Sequence, residues 1–477
     1  MSTPQPPPSP HSAGANDSVA CDDPSANLSP QTQGATPNSS RRVSYLLIAR
    51  LSAMMFLQFA SIGFWVVTVS TYIGVNTGSA GNGMFDSSFV GIAGISGALG
   101  ALFAPLLFGA LADSWFRSEH LMAALNVSCA IMLVLMWNAS AQWWFFAWMV
   151  AYSQCCAPAV SLCTSLALRH LEKSKAAFAV ARSIGTSGWV VALFVVGSVA
   201  PWLLGVSSKE IESSTRPMMY AMVAHLLMAM FSLTLPRTPP LSIGVTWRTL
   251  LGGSVALVRR QPRMMLFLLA SFFATIAPQF YNMFGNLFLN NLNIRGAATM
   301  MSWGQVTEIL CVLLLPWLLW RWGPKRIFVI GLLAWMVRYL CLTFGGPTGL
   351  PLAANYVAIL LHGACFAFVY VTGYYYIDHA SPPENRGTAQ GLLMVVTIGF
   401  GHLVGSLFSG AMQARLLTPA GVMPPPYHWP QFFLIAACAA LVALLFFWLL
   451  MGFHREVMPV QEGDDRTNEP PLGPLAK

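Results

Sequence analysis

Residues 236–263 read PRTPPLSIGVTWRTLLGGSVALVRRQPR, and this stretch decides how the rest of the chain is parsed. Pro236, Pro239 and Pro240 cannot lie in a helix interior, and Arg248, Arg259, Arg260 and Arg263 make it the one long basic segment among apolar ones. Working outward, six apolar stretches precede it, at 46–73, 87–112, 118–138, 141–168, 176–203 and 217–235. Six follow, at 264–290, 298–320, 326–345, 352–376, 388–413 and 429–453. Each has about the 20 residues that a helix needs to cross a bilayer's hydrocarbon core. The pattern predicts twelve transmembrane helices, divided six and six by the basic linker.

Composition agrees. Of 477 residues, 56% are apolar and only 9% charged, against about 25% charged in soluble domains, and the mean hydropathy is +0.60. Such a chain cannot cover its surface with polar groups, which argues against a soluble enzyme or a nucleic-acid-binding module. The net charge of +8 follows instead from the excess of Lys and Arg that membrane proteins keep on cytoplasmic loops. With the N-terminus inside, nineteen Lys and Arg fall on inside segments and only Lys209, Arg216, Arg295 and Arg415 outside. Both termini are therefore expected in the cytoplasm. Eight of the nine cysteines lie in apolar spans, where a thiol behaves as a small hydrophobe. No His or Cys grouping has metal-ligand spacing, and no Gly-x-x-x-x-Gly-Lys-Ser/Thr loop occurs, so neither a metal, another cofactor nor ATP-driven pumping is expected. Residues 1–42, rich in Pro, Ser, Thr, Asn and Gly, and 454–477 read as disordered tails. The expected organisation is a cytoplasmic tail (1–42), an N-terminal bundle (43–235), a cytoplasmic loop (236–263), a C-terminal bundle (264–453) and a second tail (454–477).

The halves echo each other. Asp113 and Arg117 join spans 2 and 3, and Arg321, Gly323, Lys325 and Arg326 join spans 8 and 9. Arg182-Ser-Ile-Gly-Thr-Ser-Gly188 on span 5 has a counterpart in Arg386-Gly-Thr-Ala-Gln-Gly391 at span 11. Two six-helix halves related by an axis along the membrane normal describe the major facilitator architecture, whose loop pattern appears as Gly109-Ala-Leu-Ala-Asp113 with Arg117. The fold class expected is thus an all-α membrane protein of two pseudo-symmetric six-helix bundles.

Polar residues within spans are costly and mark candidate functional positions. Gln279 and Asn282 are i,i+3 on span 7, as are Gln305 and Glu308 on span 8, so each pair shares a helix face. Arg182, Thr186 and Trp189 form one stripe on span 5; Gln58, Ser61 and Trp65 form another on span 1; His362 and Phe366 are i,i+4 on span 10. Amides bond in both senses and aromatic faces stack on flat rings, which suits a neutral polar solute with a planar ring. Arg338 is a further intramembrane cation and a possible partner of Glu308. His225 and His402 read as helix-packing histidines, and isolated amides often only tie helices together.

These residues resemble the nucleoside:proton symporters of the major facilitator superfamily. The likeness spans 45–455 and rests on Leu57-Gln-Phe with Gly63 and Trp65, on Arg182-Ser-Ile-Gly-Thr-Ser-Gly, and on Gln279-Phe-Tyr-Asn-Met-Phe-Gly-Asn286. It continues in Gln305-Val-Thr-Glu308, Ala334-Trp-Met-Val-Arg338, Gly363-Ala-Cys-Phe-Ala-Phe368 and Ala389-Gln-Gly391. The resemblance implies a non-enzymatic importer of nucleosides with protons in the inner membrane. Its substrate would be bound by Arg182, Thr186, Trp189, Gln279, Asn282, Gln305, Glu308 and Phe366, with Gln58, Arg338 and His362 as secondary candidates. Where the family carries an aspartate after the matched phenylalanine, this chain has Ala367, and His362 stands where the family has tyrosine. Glu308 is left as the candidate proton carrier, expected to pair with Arg182 across the seam when substrate is absent.

Alternating access around a midplane site is the expected mechanism, with the glycine-dense spans 2 and 11 sliding past each other. Two other readings fit the same residues. One is a facilitative porter for nucleosides or another polar solute such as a sugar. The other is a non-transporting receptor with a transporter fold. The expected partners are the nucleoside, protons and the lipid bilayer, with no nucleic acid, and the chain is expected to act as a monomer.

Overall fold

The structure, a computed structural model, describes residues 44–78, 82–114, 117–171, 174–238, 262–381, 386–416 and 428–452. The expected tails, most of the 236–263 linker and the side chain of Asp113 lie outside the described residues. In the first half, α1 runs over Tyr45–Gly63 and resumes at Val69–Val75. Then come α2 (Phe89–Ser114), α3 (Ser118–Trp137) and α4 (Gln142–Leu171). Next, α5 runs over Lys175–Phe194 and through a π turn at Val195–Val199 into Ala200–Leu204. The single turn Ser208–Glu212 leads into α6 (Arg216–Ser232).

In the second half, α7 is split into Pro262–Ala274 and Pro278–Asn291, followed by α8 (Ala297–Trp322) and α9 (Pro324–Thr343). The tenth rod, α10, is segmented as Gly349–Leu360, His362–Phe366, a π turn at Ala367–Val371, and Thr372–Ala380. In α11, Arg386–Met394 passes through a π turn at Val395–Gly401 into His402–Arg415; α12 is Trp429–Met451. Among the described residues, ten of the twelve rods are long and apolar enough to cross a membrane by themselves; α2 qualifies as an apolar helix over Phe89–Leu102, and α6 has 17 residues. Each coincides with one stretch expected from the sequence.

Packing repeats with an offset of six helices. In the first half α1 lies against α5 and α6, α3 against α4 and α6, and α2 against α4. In the second half α7 lies against α11 and α12, α9 against α10 and α12, and α8 against α10. Across the seam α2 meets α11 and α5 meets α8, two contacts that the same offset exchanges, while α1 meets α7. This is the two-bundle architecture expected from the sequence, and its twofold axis runs between the halves. Proline marks the helix starts where its missing N–H costs nothing: Pro217, Pro278, Pro324 and Pro430. Pro278, which has no N–H to give the preceding turn, also explains the break in α7, and beside the break the Ala277 carbonyl accepts a 2.6 Å bond from Tyr339 Oη in addition to one from the Phe280 N–H. A broken transmembrane helix is tolerated where such partners exist.

At the end away from the chain termini, hydrogen bonds sew the halves together around a fully buried carboxylate. Glu212 accepts from Asn286 Nδ2 and Asn290 Nδ2, each at 2.8 Å, and from the Ala298 backbone N–H at 3.1 Å. Thr71 Oγ1 donates to Asn286 Oδ1 at 2.5 Å, and the Ser198 and Thr299 hydroxyls meet at 2.8 Å. Burial raises the Glu212 carboxyl above its ordinary value, opposed by the bonds from Asn290, Ala298 and Asn286. With a raised value in the latched form, the stabilisation is fully present below the ordinary Glu range and fades as pH rises through the raised value. Glu212→Ala takes the acceptor from the buried Asn286 amide and Ala298 N–H and is expected to cost about 2–4 kcal/mol, read as a lower melting temperature of the purified protein; an unchanged melting temperature would remove the latch role.

Gln58, a secondary candidate from the sequence, does not reach the space between the halves. It is fully buried and its Oε1 accepts from Asn126 Nδ2 at 3.1 Å. Asn126 Oδ1 lies 2.8 Å from His225 Nδ1, and His225 Nε2 lies 3.0 Å from Tyr152 Oη. Successive helix residues point about 100° apart, so the neighbour Phe59 takes the seam side while Gln58 turns toward α3. His225 thus packs within the first bundle.

Candidate functional site

A cavity of about 430 Å³ lies between the halves at mid-helix and extends toward the end that carries the chain termini. That is within the range of small-molecule sites. The structure brings all eight primary candidates to its walls: Arg182, Thr186 and Trp189 from α5, Gln279 and Asn282 from α7, Gln305 and Glu308 from α8, and Phe366 from α10. His362 joins them, whereas Arg338 sits directly behind, fully buried.

Each wall has a local cause. On α5 the i, i+4, i+7 spacing makes one stripe, and Arg182 Nη1 donates to Thr186 Oγ1 at 2.9 Å while its guanidinium lies 4.5 Å from the centre of the Phe59 ring. On α7 the break before Pro278 resets the helix so that Gln279 and Asn282 face the cavity, with Gln279 Oε1 accepting from Ser406 Oγ at 3.5 Å. On α8, Gln305 and Glu308 stand one turn apart, and among the described residues Glu308 is the only carboxylate lining the cavity. The expected Arg182–Glu308 ion pair is not formed in this conformation: Arg182 bonds to Thr186, and no Arg182–Glu308 contact within 4.0 Å occurs. Helix register alone put the two on facing walls without fixing how far the walls stand apart.

Several cavity residues escaped the sequence reading. Phe59, Tyr281, Trp335, Tyr370, Tyr374 and His402 all contribute. Part of this signal was present as a spacing of four along α10, from His362 and Phe366 to Tyr370 and Tyr374. In a regular helix such a stripe drifts by roughly 40° per step; the π turn at Ala367–Val371 opposes the drift and keeps Tyr370 and Tyr374 on the cavity side. The Phe366 and Tyr370 rings stack 5.2 Å apart. His402 lines the cavity and its Nε2 lies 2.9 Å from Tyr370 Oη, so it does more than pack helices. Ala367, by contrast, packs with Leu315, Leu318 and Ile327 away from the cavity.

Two helix bundles around a central polar cavity define a secondary transporter of the major facilitator class, a class that is not enzymatic. The chain belongs to the nucleoside H+ symporter family, whose pattern matches residues 46–456. It is 26% identical over 426 residues to the nucleoside permease NupG of Escherichia coli (strain K12), covering 86% of this chain and 97% of that one. It is 27% identical over 416 residues to the xanthosine permease of the same organism, covering 84% and 94%. Its structure is similar to the crystal structure of the nucleoside transporter NupG, with a TM-score of 0.73 at 26% identity over 86% of this chain and all of that one. A bacterial homologue of the lysosomal transporter Spinster, solved facing inward and at 14% identity, shares the fold with a TM-score of 0.63.

Proposed function

We propose that this protein imports nucleosides together with protons across the cytoplasmic membrane, and that the cavity between the bundles holds the nucleoside. The observation that carries the reading is the wall chemistry, in a chain of this family: amides from α7 and α8, one carboxylate, one cation and a run of aromatic rings around a single cavity. A nucleoside is neutral, has a planar base to lie against Phe366 and Tyr370, and has hydroxyls to donate to Glu308 and to exchange hydrogen bonds with Gln279, Asn282 and Gln305. Arg182, Thr186 and Trp189 would close on it from the first half. The names of the similar permeases support the substrate class.

The excess of Lys and Arg on the segments that share a side with the termini supports a cytoplasmic location for both ends. In that orientation the Glu212 latch closes the outer face and the cavity reaches toward the cytoplasm. Residues 43–235 and 264–453 would rock as two bodies joined by 236–263. Each chain builds a whole cavity, so a monomer in the bilayer would suffice. Glu308 would carry the proton, since α10 offers Ala367 rather than an acid and Ala367 faces away from the cavity.

The test is uptake of labelled uridine and adenosine by cells expressing the chain, with and without a protonophore. Accumulation that collapses with the protonophore is expected. Equilibration that ignores it would make the protein a facilitator, the second reading, which the missing α10 acid favours. No uptake of either nucleoside would discard the substrate.

A further inference from the structure

Behind the cavity wall lies a bonded chain whose direction is set by chemistry. Arg338 is fully buried, with its guanidinium carbon 3.6 Å from the centre of the Tyr281 ring and 5.2 Å from that of Trp335. Its Nη1 lies 2.8 Å from His362 Nδ1, while Nε and Nη2 have no hydrogen-bond partner. Close approach of α8 and α10 brings His362 into place: a side chain at Gly363 would collide with the backbone of Thr307. On its other edge His362 Nε2 lies 2.9 Å from Gln305 Nε2 and 3.8 Å from Glu308 Oε2.

Arginine only donates and stays charged. Nδ1 of His362 must therefore accept, which leaves the neutral ring's proton on Nε2. A proton on Nε2 cannot face the NH2 of Gln305, and Glu308 Oε2 at 3.8 Å is beyond hydrogen-bond reach, so the chemistry assigns the Gln305 amide the turned orientation, with its carbonyl oxygen toward His362 and its NH2 group toward the cavity. We propose that Arg338 and His362 are positioning residues that lock Gln305 as a hydrogen-bond donor toward the transported solute. One helical turn away Glu308, when ionised, can only accept. The α8 wall thus has a fixed polarity, donor at Gln305 and acceptor at Glu308, and selects a solute that offers an acceptor atom to the first and a hydroxyl or N–H to the second. This rests on the cavity being the nucleoside site.

Two measurements test it. Nitrogen NMR of the full chain labelled with 15N-histidine, with His362→Gln identifying the signals, reads the tautomer without any nucleoside. A bare Nδ1 and a protonated Nε2 are expected at neutral pH; a protonated Nδ1 or an imidazolium overturns the proposal. Calorimetry on the purified protein then compares uridine with its 2′-, 3′- and 5′-deoxy and 4-thio analogues. One of these is expected to bind about tenfold more weakly than uridine, with that penalty gone in Gln305→Leu. His362→Phe should shrink the same penalty to below about threefold, because a freed amide can turn. His362→Gln, which can accept from Arg338 and donate onward, should restore it. Arg338→Met, which keeps the imidazole but frees its tautomer, should also shrink the penalty and serves if His362→Phe does not fold. An undiminished penalty in His362→Phe or Arg338→Met, or no analogue whose penalty depends on Gln305, overturns the proposal. Failure of every nucleoside to bind would sink the transport reading, and the tautomer would still decide this one.

Discussion

Glu308→Gln is expected to abolish concentrative uptake while leaving exchange of nucleoside across the membrane. Among the described residues, Glu308 is the only carboxylate on the cavity wall, and an amide of the same shape neither takes up nor releases a proton. One proton moving down 100 mV and one pH unit supplies about 3.7 kcal/mol, a ceiling of several hundred-fold accumulation. In the variant that ratio falls to about one, because the solute then equilibrates. Gln can still bond a hydroxyl, so exchange of internal for external nucleoside continues at a reduced rate. The measurement is the steady-state ratio of labelled nucleoside with an imposed pH gradient in proteoliposomes, alongside exchange without one. Accumulation that survives would take Glu308 out of the coupling role and direct attention to His402 or Glu212.

Gly91→Leu is expected to prevent closure of the face sealed by Glu212. At that end α2 crosses α11 with backbones in contact: a Cβ added at Gly410 would stand 2.7 Å from Gly91 Cα, and one at Gly91 would meet the Gly410 backbone closer still. Backbone cannot step aside as a flexible side chain can, so the closed arrangement loses at least the 1–3 kcal/mol typical of overpacking. A loss of about 3 kcal/mol moves the balance toward the opposite opening by roughly a hundredfold. Uptake should fall accordingly, and a cysteine placed at Thr71, in a background without reactive thiols, should become open to an impermeant reagent. Gly391→Ala is the control, since a Cβ there meets nothing within 4 Å and the residue does not line the cavity. Normal uptake by Gly91→Leu would mean that the α2–α11 crossing is not a moving seam.

How far the site was legible depended on helix regularity. Arg182, Thr186 and Trp189 lie on an uninterrupted helix, and their spacing alone put them on one face. Gln305 and Glu308 behaved the same way on α8. Tyr281 was not legible, because the break before Pro278 changes which residues of α7 face the seam. Gln58 was misplaced for a different reason. A polar residue in a span has to bond to something, but its composition does not say whether that partner is a solute or Asn126 on a neighbouring helix. His402 shows the reverse case, a histidine read as packing that also lines the cavity.

By itself the sequence determined the class of fold. Backbone groups inside a bilayer must bond within their own segment, so twelve apolar stretches can only be twelve helices, and the basic linker split them six and six. It also determined which residue types could serve a polar solute, because charges and amides survive in such spans only with partners. Distances and directions across helices were decided only by tertiary structure. Whether Arg182 touches Glu308, which way the Gln305 amide points and where Glu212 bonds all depend on how separate helices approach, and no spacing along one helix encodes the gap to another.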